Sequence, residues 1–404
     1  MASEPSNPHC RIQRLAWSDP DLGTIDCPKR PMLIRASFGS GLTRRRGDPP
    51  GIVWGIGDRG PNLKVKVAVE RYGLSRLQGI SAGKGAKVMP RLDIGPTIAE
   101  LRVSEDSVQL VRTIRIADSG GRPISGLPIP AGEHAECEPA LSLEGEILQP
   151  DSQGADTEGI AAFADGSFFI GDEYGPALLK VGADGRILSR WGPEALPSIA
   201  GKRQLNRGFE AIALSPDEAW LYLAFQSPLA HPDKEAHERA RHVRFWKVNA
   251  VTGTVAAQYL YPLDDPRSFG RDAEKGEFGR SDIKVSEILV GGEEELLVLE
   301  RGSETTKIYR TRLDPALVTA PEHLELATRP TIEEMSAAGS ELPELGKELV
   351  VSTDDHPEVA ADLEGMTLLS PTELLLVSDN DFGVEGAETS FWRLTFEEAL
   401  FGDG

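Results

Sequence analysis

Apolar positions along the chain form short runs, many of them alternating with polar residues, and turn-forming residues separate the runs. Such runs, bounded by Gly, Pro, Asn, Asp and Ser, are typical of β-strands. Longer patterns with a helical period are scarce, and we predict short helices only at 234–241 and at 331–338, where a threonine suited to N-capping follows a proline. The clearest predicted strands are 32–36, 160–163, 168–170, 221–224, 296–299 and 374–377. The pattern therefore predicts an all-β fold.

One hairpin unit recurs along the chain. An acidic and a small residue precede an apolar strand, a turn follows, and a second strand ends in another polar cluster. Four copies have a leading glutamate, namely Glu158, Glu210, Glu287 and Glu364, and a degenerate copy without one occupies 40–60. Successive leading glutamates are 52, 77 and 77 residues apart, which is enough for four strands and their loops. We therefore predict a β-propeller with four-stranded blades.

The number of blades follows less directly from the repeats. Five copies can be counted, and the 118 residues between Ser40 and Glu158 leave room for a sixth. The N-terminal strand around 11–16 is expected to complete the last blade, because 391–396 is nearly the end of the chain. No shift in composition marks a boundary. We expect one propeller domain over 1–404, with repeat hairpins near 33–60, 156–190, 207–262, 284–313 and 362–397.

The spacing within each copy predicts a functional site. Between 13 and 16 residues separate each leading glutamate from the polar residue that ends the second strand, which is the length of two short strands and a turn. The two positions should therefore lie side by side. Because the first strand of a propeller blade lines the central channel, we predict a ring of carboxylates at one channel mouth. The ring consists of Glu158, Glu210, Glu287 and Glu364, with Asp58, Asp172, Glu300 and Asp379 just outside it.

The chemistry of this ring favours a bound cation. Carboxylates this close together need compensation by cations, by arginines or by raised pKa values. Oxygen ligands without a Cys/His set favour a hard ion, Ca²⁺ first, with Mg²⁺ or Mn²⁺ as alternatives. Arg59, Arg207 and Arg301 lie within the same motifs and are the candidate catalytic residues, since guanidinium groups bind anionic oxygens. It remains open whether each glutamate instead bonds only to backbone N–H groups of a neighbouring blade.

Charge narrows the range of partners. The 404 residues include 43 Lys and Arg against 64 Asp and Glu, a net charge of −21. This balance argues against binding to nucleic acid or to an anionic membrane surface. No apolar stretch approaches the roughly 20 residues of a membrane span. The N-terminus has neither a basic nor an apolar region, so we expect no leader and a cytoplasmic protein, or a periplasmic or secreted one if the chain has been trimmed.

Several motifs, in order, resemble a known family. They are 58–62, 156–159 with 172–176, 206–210, 300–302, 364–366 and 378–382. With these motifs the chain resembles the phytase-like bacterial propeller proteins that are described by the esterase-like activity of phytase. The resemblance extends from about residue 30 to 397. It implies a β-propeller with phosphatase or esterase activity, and many relatives are exported.

The leading functional hypothesis is a metal-dependent hydrolase of phosphoric esters. Ring carboxylates would hold one or more Ca²⁺ ions that activate water, and the three arginines would stabilise charge on a small anionic substrate. A Ca²⁺-dependent lactonase or carboxylic esterase is one alternative. A non-catalytic propeller that binds a ligand at the channel mouth is the other. The oligomeric state is not predicted.

Overall fold

The computed structural model describes residues 10–130, 132, 137–192 and 194–402, and in these residues strands dominate. They include five antiparallel sheets of four strands each. The α-helices that the structure describes are short: α1 (Val65–Tyr72), α2 (Lys234–Arg239), α3 (Gly270–Lys275) and α4 (Ile332–Ala338). The all-β prediction is confirmed.

The first part of the chain builds one four-stranded sheet and two small ones. Its strands are β1 (Cys10–Leu15), β2 (Asp21–Ile25), β3 (Met32–Arg35), β4 (Gly41–Thr43), β5 (Ile52–Gly57), β6 (Leu63–Lys64), β7 (Lys87–Val88), β8 (Thr97–Val103), β9 (Val108–Arg115) and β10 (Ala140–Leu141). Strands β4, β5, β8 and β9 form sheet 1. Strands β2 and β3 form a hairpin, and β6, β7 and β10 form a three-stranded sheet beside α1. The long interval before Glu158 therefore completes sheet 1 and adds this small sheet.

The next three sheets each use four consecutive strands. Sheet 2 consists of β11 (Thr157–Ala162), β12 (Phe168–Asp172), β13 (Ala177–Val181) and β14 (Ile187–Trp191). Sheet 3 consists of β15 (Phe209–Leu214), β16 (Trp220–Phe225), β17 (His242–Asn249) and β18 (Val255–Pro262). Sheet 4 consists of β19 (Lys284–Val290), β20 (Glu295–Arg301), β21 (Thr306–Arg312) and β22 (Lys347–Ser352).

Both ends of the chain meet in sheet 5. Strands β23 (Leu363–Ser370), β24 (Glu373–Ser378) and β25 (Phe391–Phe396) supply three of its strands, and β1 supplies the fourth. Strand β1 runs antiparallel to β25, with Cys10 opposite Phe396 and Leu15 opposite Phe391. The prediction that the N-terminal strand completes the last sheet is confirmed.

The first strands of the five sheets contact one another in cyclic order. Strand β4 contacts β11, β11 contacts β15, β15 contacts β19, β19 contacts β23, and β23 contacts β4. Glycine permits this close approach: a Cβ atom at Gly41 would lie 2.8 Å from the carbonyl oxygen of Glu158. Apolar side chains fill the spaces between neighbouring sheets, as where Trp54 of sheet 1 meets Phe168 of sheet 2 edge to face at 5.2 Å. The start of every first strand is thereby brought to one end of the assembly.

The two predicted helices are confirmed, and their first residues explain where they begin. The Asp233 carboxylate accepts a hydrogen bond of 3.0 Å from the Ala236 N–H at the start of α2. At the start of α4, Thr331 and Glu334 form a reciprocal capping box. Both helices pack against each other beside sheet 3 and its connections.

Candidate functional site

A β-bulge near the start of the first strand is shared by sheets 2 to 5. In sheet 5, for example, Leu363 pairs with Ser378 and Gly365 with Val377, so that Glu364 is the extra residue. A bulge interrupts the alternation of side chains and redirects one of them. The bulges contain Glu158, Glu210, Ser286 and Glu364 in sheets 2, 3, 4 and 5. The three glutamates line a single cavity.

This cavity, of about 690 Å³, lies at the starts of the first strands. The bulge residues form one ring around it. A second ring comes from the residues at the end of each second strand or directly after it, namely Asp58, Glu173, Gln226, Arg301 and Asp379. The small three-stranded sheet adds Lys64 and Lys87 to the wall. We call this space the acidic cavity, because its described lining holds ten carboxyl groups and five cationic groups.

Burial and mutual repulsion raise the pKa values of several of these carboxyl groups. Burial, followed by the charges of Glu210 and other acidic neighbours, raises the pKa of Glu158 well above its usual range. Burial also raises the pKa of Glu364 to about 8, although Arg301 opposes the shift. The pKa of Asp379 rises to about 6, again chiefly through burial. A positive ligand would relieve this arrangement by taking the place of the protons.

Three carboxyl groups of sheet 2 converge closely enough to share one ion. Asp156, Glu158 and Glu173 each offer an oxygen atom, and the three atoms lie within 4.8 Å of one another. Asp156 is fully buried and Glu173 is 2% exposed. Burial raises the pKa of Asp156 to about 7 despite the opposing charge of Arg59. We call these three residues the sheet 2 carboxylates; their oxygens and burial suit a hard cation.

Sequence reasoning named only Glu158 among the sheet 2 carboxylates. Asp156 and Glu173 stand in the same repeat motif, two residues before the leading glutamate and one residue after Asp172. Their side chains were missed because the bulge determines which neighbour in each motif faces the cavity. Lys284, which also lines the cavity, was missed as well. The repeat places Gln226 correctly at the end of the second strand, but it was not taken as a ligand because the other repeats carry Asp or Glu there.

Arg59 lies in the cavity wall and is surrounded by acceptors. Its Nη2 atom is 2.5 Å from Asp156 Oδ2 and 2.6 Å from Asn206 Oδ1, and its Nη1 atom is 3.2 Å from Glu138 Oε2. Its guanidinium also lies over the Tyr174 ring, 5.2 Å from the centroid. Arg59 therefore balances charge beside the sheet 2 carboxylates.

Arg301 is engaged in the same way on the other side of the cavity. Its Nη1 atom is 2.5 Å from Asp362 Oδ1, its Nη2 atom donates to Glu364, and its Nε atom donates to Ser286 Oγ over 2.9 Å. Arg207 is not among the described residues that line the cavity, and it donates from Nη1 to the carbonyl of Ser281. The structure thus brings two of the three candidate arginines to the cavity.

Five of the eight predicted ligands line the cavity, and Asp172 and Glu300 do not. Asp172 accepts hydrogen bonds from the N–H groups of Asp156 and Tyr174, at 3.0 and 3.1 Å, and pairs with Arg190 at 3.3 Å. Glu300 lies 2.7 Å from Lys347 Nζ and accepts from the Tyr261 hydroxyl over 2.8 Å. Side chains alternate along a strand, so the following residues, Glu173 and Arg301, face the cavity instead. The residues are thus displaced by one position from their predicted place.

Glu287 is the third predicted ligand outside the described lining of the cavity. It follows the bulge of sheet 4, where Ser286 occupies the position that Glu210 and Glu364 occupy in their sheets. Its buried carboxylate accepts hydrogen bonds from the N–H groups of Leu42 and Ile288, each at 3.1 Å. Burial raises its pKa well above the usual range. Here the structural alternative, a glutamate that bonds backbone groups of another sheet, describes the observed contacts.

A second cavity, of about 420 Å³, lies at the other ends of the first strands, and a run of three arginines lines it. Arg44 donates to the carbonyl of Leu369, Arg45 to that of Phe163 and Arg46 to that of Pro216. These carbonyls belong to hairpins of sheets 5, 2 and 3, so the run connects three sheets. Hydrogen bonding to backbone carbonyls explains a basic run in an acidic protein.

The described part of the chain contains no helix that is both long and apolar enough to cross a membrane. A curated relative, an uncharacterized secreted protein of Arthroderma benhamiae, is 26% identical over 310 residues. The match covers 64% of this chain and 57% of that relative, so the chain spans little more than half of the relative's length.

Solved structures give weaker similarities. The allergen Mala s 1 of Malassezia sympodialis has a TM-score of 0.36 at 11% identity, covering 90% of this chain and 80% of that chain. Virginiamycin B lyase of Staphylococcus aureus has a TM-score of 0.33 at 11% identity, covering 96% and 100%. A gluconolactonase of Xanthomonas campestris has a TM-score of 0.30 at 9% identity, covering 74% and 68%. These TM-scores are too low to assign a function.

The motifs identified above lie within the segment that matches one family. The family described as "Phytase-like: Esterase-like activity of phytase" matches residues 39–382, which is most of the chain and includes every carboxyl group of the sheet 2 cluster. The chain therefore belongs to the phytase-like family.

Proposed function

We propose that the protein is a hydrolase of phosphoric esters that uses the acidic cavity as its active site and a divalent cation, Ca²⁺ first, as its cofactor. One observation carries the proposal. The sheet 2 carboxylates offer three oxygens within 4.8 Å of one another beside a cavity of about 690 Å³. Membership of a family described by the esterase-like activity of phytase supports a hydrolytic reaction on an ester.

The charges in the cavity support a cation. Once ionised, the ten carboxyl groups would outnumber the five cationic groups and would repel an anionic substrate, unless a bound cation compensates them. Carboxylate oxygens without thiol or imidazole ligands suit Ca²⁺, with Mg²⁺ or Mn²⁺ as alternatives. When bound, the ion would supply Lewis-acid chemistry to an ester oxygen.

Two buried polar atoms also support a ligand in the cavity. Ser40 Oγ and Gln226 Oε1 have no hydrogen-bond partner among the described residues, and their side chains line the cavity. Ser40 is 1% exposed and Gln226 is 4% exposed. Buried polar atoms without a partner are rare and costly, so a ligand that bonds to them would remove the cost. Arg59 holds Asp156 in place beneath this ligand through the 2.5 Å contact.

We further propose that the five sheets are the blades of a single five-bladed propeller and that the acidic cavity is one mouth of its channel. The cyclic contacts of β4, β11, β15, β19 and β23 support this arrangement. The β1–β25 pairing also supports it, since it joins both ends of the chain in sheet 5. A crystal structure with a sixth four-stranded sheet would contradict the proposal.

We propose that the protein is exported. The relative from Arthroderma benhamiae is described as a secreted protein, which supports an extracellular or periplasmic location over a cytoplasmic one. Extracellular modules commonly bind Ca²⁺ with dissociation constants of about 10⁻⁴ to 10⁻³ M, so this location agrees with the proposed ion. Fractionation of cells that express the native gene tests the location.

An ester panel tests the activity. Phosphate monoesters, carboxylic esters and lactones are each offered to the purified protein before and after removal of metal with EDTA. We expect release of phosphate that is lost with EDTA and restored by Ca²⁺. Turnover of carboxylic esters or lactones alone would replace phosphoric esters as the substrate class. If no ester is turned over, the proposed activity is refuted, and the alternative of a propeller that binds a ligand without catalysis is favoured.

A further inference from the structure

Sheets 2, 4 and 5 carry corresponding positions in or beside the wall of the acidic cavity. They are the residue two before the bulge residue, the bulge residue itself, and the residue that follows or ends the second strand. In sheet 2 these residues are Asp156, Glu158 and Glu173, and in sheet 5 they are Asp362, Glu364 and Asp379. In sheet 4 they are Lys284, Ser286 and Arg301. The same framework therefore carries two carboxyl triplets and, in sheet 4, two cationic residues with a serine between them.

Arg301 of sheet 4 pairs with two members of the carboxyl triplet of sheet 5. Arg301 is 2% exposed, and its two terminal nitrogens bond to Asp362 and Glu364. Its remaining donor, Nε, bonds to Ser286. All three guanidinium nitrogens thus have acceptors in the protein. At the sheet 2 carboxylates, Arg59 lies within 4 Å of Asp156 and Glu173.

Lys284 is different from the other cations of the cavity. It pairs with Arg301 across the β19–β20 ladder and lines the cavity, but its side chain forms no hydrogen bond or ion pair within bonding distance of any residue that the structure describes. Lys87, by contrast, lies 3.8 Å from Glu138 Oε2, and Lys64 is exposed at the rim. The positive charge of Arg301, followed by burial, lowers the pKa of Lys284, while the carboxyl groups of Glu364 and Glu210 oppose the shift. An anionic ligand beside Lys284 would favour its charged form.

Sheet 3 separates the sheet 2 carboxylates from Lys284. At the corresponding positions it carries Gly208, Glu210 and Gln226. Gly208 adds no side chain, and Gln226 presents the Oε1 atom that has no partner among the described residues. Burial, followed by the charge of Glu173, raises the pKa of Glu210 well above its usual range. A ligand that spans sheet 3 would therefore meet the Gln226 amide and the Glu210 carboxyl group between a cation-binding side and an ammonium group.

We propose that Lys284 is the anion-binding residue of the cavity and that it contacts the phosphoryl oxygens of a phosphate ester spanning sheet 3. Arg301 and Arg59 act as positioning residues that hold the carboxyl groups. The arrangement of the substrate rests on the proposed function, because the other side of the ester faces the cation at the sheet 2 carboxylates. The contact of Lys284 with an anion does not require that function.

Chemical labelling tests this contact without any assay of turnover. Methyl acetyl phosphate carries a phosphate group, transfers its acetyl group to nearby amines and releases methyl phosphate. We expect Lys284 to be acetylated faster than the other lysines and to be protected by inorganic phosphate. Lys66, whose side chain is 79% exposed and which lies outside the cavity lining, is the internal control. Labelling of Lys284 no faster than that of Lys66, or no protection by phosphate, would overturn the proposal.

Substitutions separate the inference from the proposed function. Lys284→Met removes the charge at similar length, and we expect it to weaken inorganic phosphate binding by about tenfold or more, as for loss of a charged hydrogen bond. Lys284→Arg should retain part of the affinity, and Lys66→Met should retain all of it. Circular dichroism and a melting curve verify that each variant is folded.

The combination of results identifies which idea fails. Suppose that folded Lys284→Met no longer binds phosphate and that the wild-type protein turns over no ester. This result would support the anion site and refute the hydrolase. Ester turnover with an unchanged KM in Lys284→Met would support the hydrolase and refute the role of Lys284. Wild-type protein that binds no inorganic phosphate, with or without Ca²⁺, would refute the inference as well.

Discussion

Glu158 and Glu364 occupy equivalent bulge positions in sheets 2 and 5, but only Glu364 is bonded by an arginine. Glu158→Gln keeps the size of the side chain and removes a charge that a hard cation requires. We expect Ca²⁺ affinity to fall by about tenfold or more, since a charged ligand contributes more than about 1.5 kcal/mol. Isothermal titration with Ca²⁺ measures the change.

Glu364→Gln is the matched control for this prediction. Arg301 already neutralises Glu364, so its substitution should leave Ca²⁺ affinity within about twofold of wild type. Equal losses of affinity in the two variants would mean that the ion bridges sheets 2 and 5 rather than binding the sheet 2 carboxylates. Unchanged Ca²⁺ affinity in both variants would mean that the cation does not bind in this cavity.

To predict the site from the sequence, the register of each strand must be known to within one residue. The repeat identified Asp58, Glu158, Glu210, Glu364 and Asp379 as neighbours, and all five line the cavity. Asp172, Glu287 and Glu300 are each displaced by one residue, because a bulge or the alternation of a strand reverses the side on which a residue lies. Spacing alone does not specify where a bulge inserts its extra residue.

At the scale of elements, α4 is joined to β17 by a hydrogen-bonded chain of side chains. Ser336 Oγ lies 2.7 Å from His242 Nδ1, and His242 Nε2 lies 2.6 Å from Glu344 Oε2. The order of groups is that of a hydrolytic triad. Ser336 is fully buried, however, and its Oγ also accepts the N–H of Arg241 over 2.7 Å, so a substrate has no access to it.

We therefore predict that Ser336→Ala affects stability and not catalysis. Removal of the hydroxyl leaves the Arg241 N–H and His242 without their partner, which should lower the free energy of unfolding by about 1–3 kcal/mol. Urea unfolding measures this loss, and the ester panel is repeated on the folded variant. If the fully folded variant lost turnover, Ser336 would be the nucleophile, and the active site would not be the acidic cavity.

At the scale of the whole molecule, the repeats in the sequence predict the four-stranded sheets because each sheet uses the same alternating pattern and turn residues. The pairing of β1 with β25 follows from the position of 391–396 near the chain's end. The sheet formed by β6, β7 and β10 was not predicted, since each of its strands has only two residues and leaves no pattern. This sheet nevertheless supplies the Lys64 and Lys87 wall of the cavity.

The many protonated carboxyl groups also predict how the whole protein responds to pH. Without metal, Asp379, Asp156 and Glu364 have pKa values of about 6, about 7 and about 8, raised chiefly by burial. In the unfolded chain such groups have lost their protons by about pH 5. Between about pH 5 and about pH 8 the folded state therefore binds more protons than the unfolded state, and stability must fall as pH rises.

Calcium should oppose this fall. A cation at the sheet 2 carboxylates favours their ionised forms, and at a 100-fold excess over its dissociation constant it adds about 2.7 kcal/mol to the free energy of unfolding. Urea unfolding across this pH range, in EGTA and in excess Ca²⁺, measures both effects. Glu158→Gln should abolish the Ca²⁺-dependent gain while retaining a fall with pH, because Glu364 and Asp379 lie in sheet 5. Metal-free stability that stays level or rises over this range would mean that the arginines already compensate the carboxylates, and the electrostatic reason for a bound cation would no longer hold.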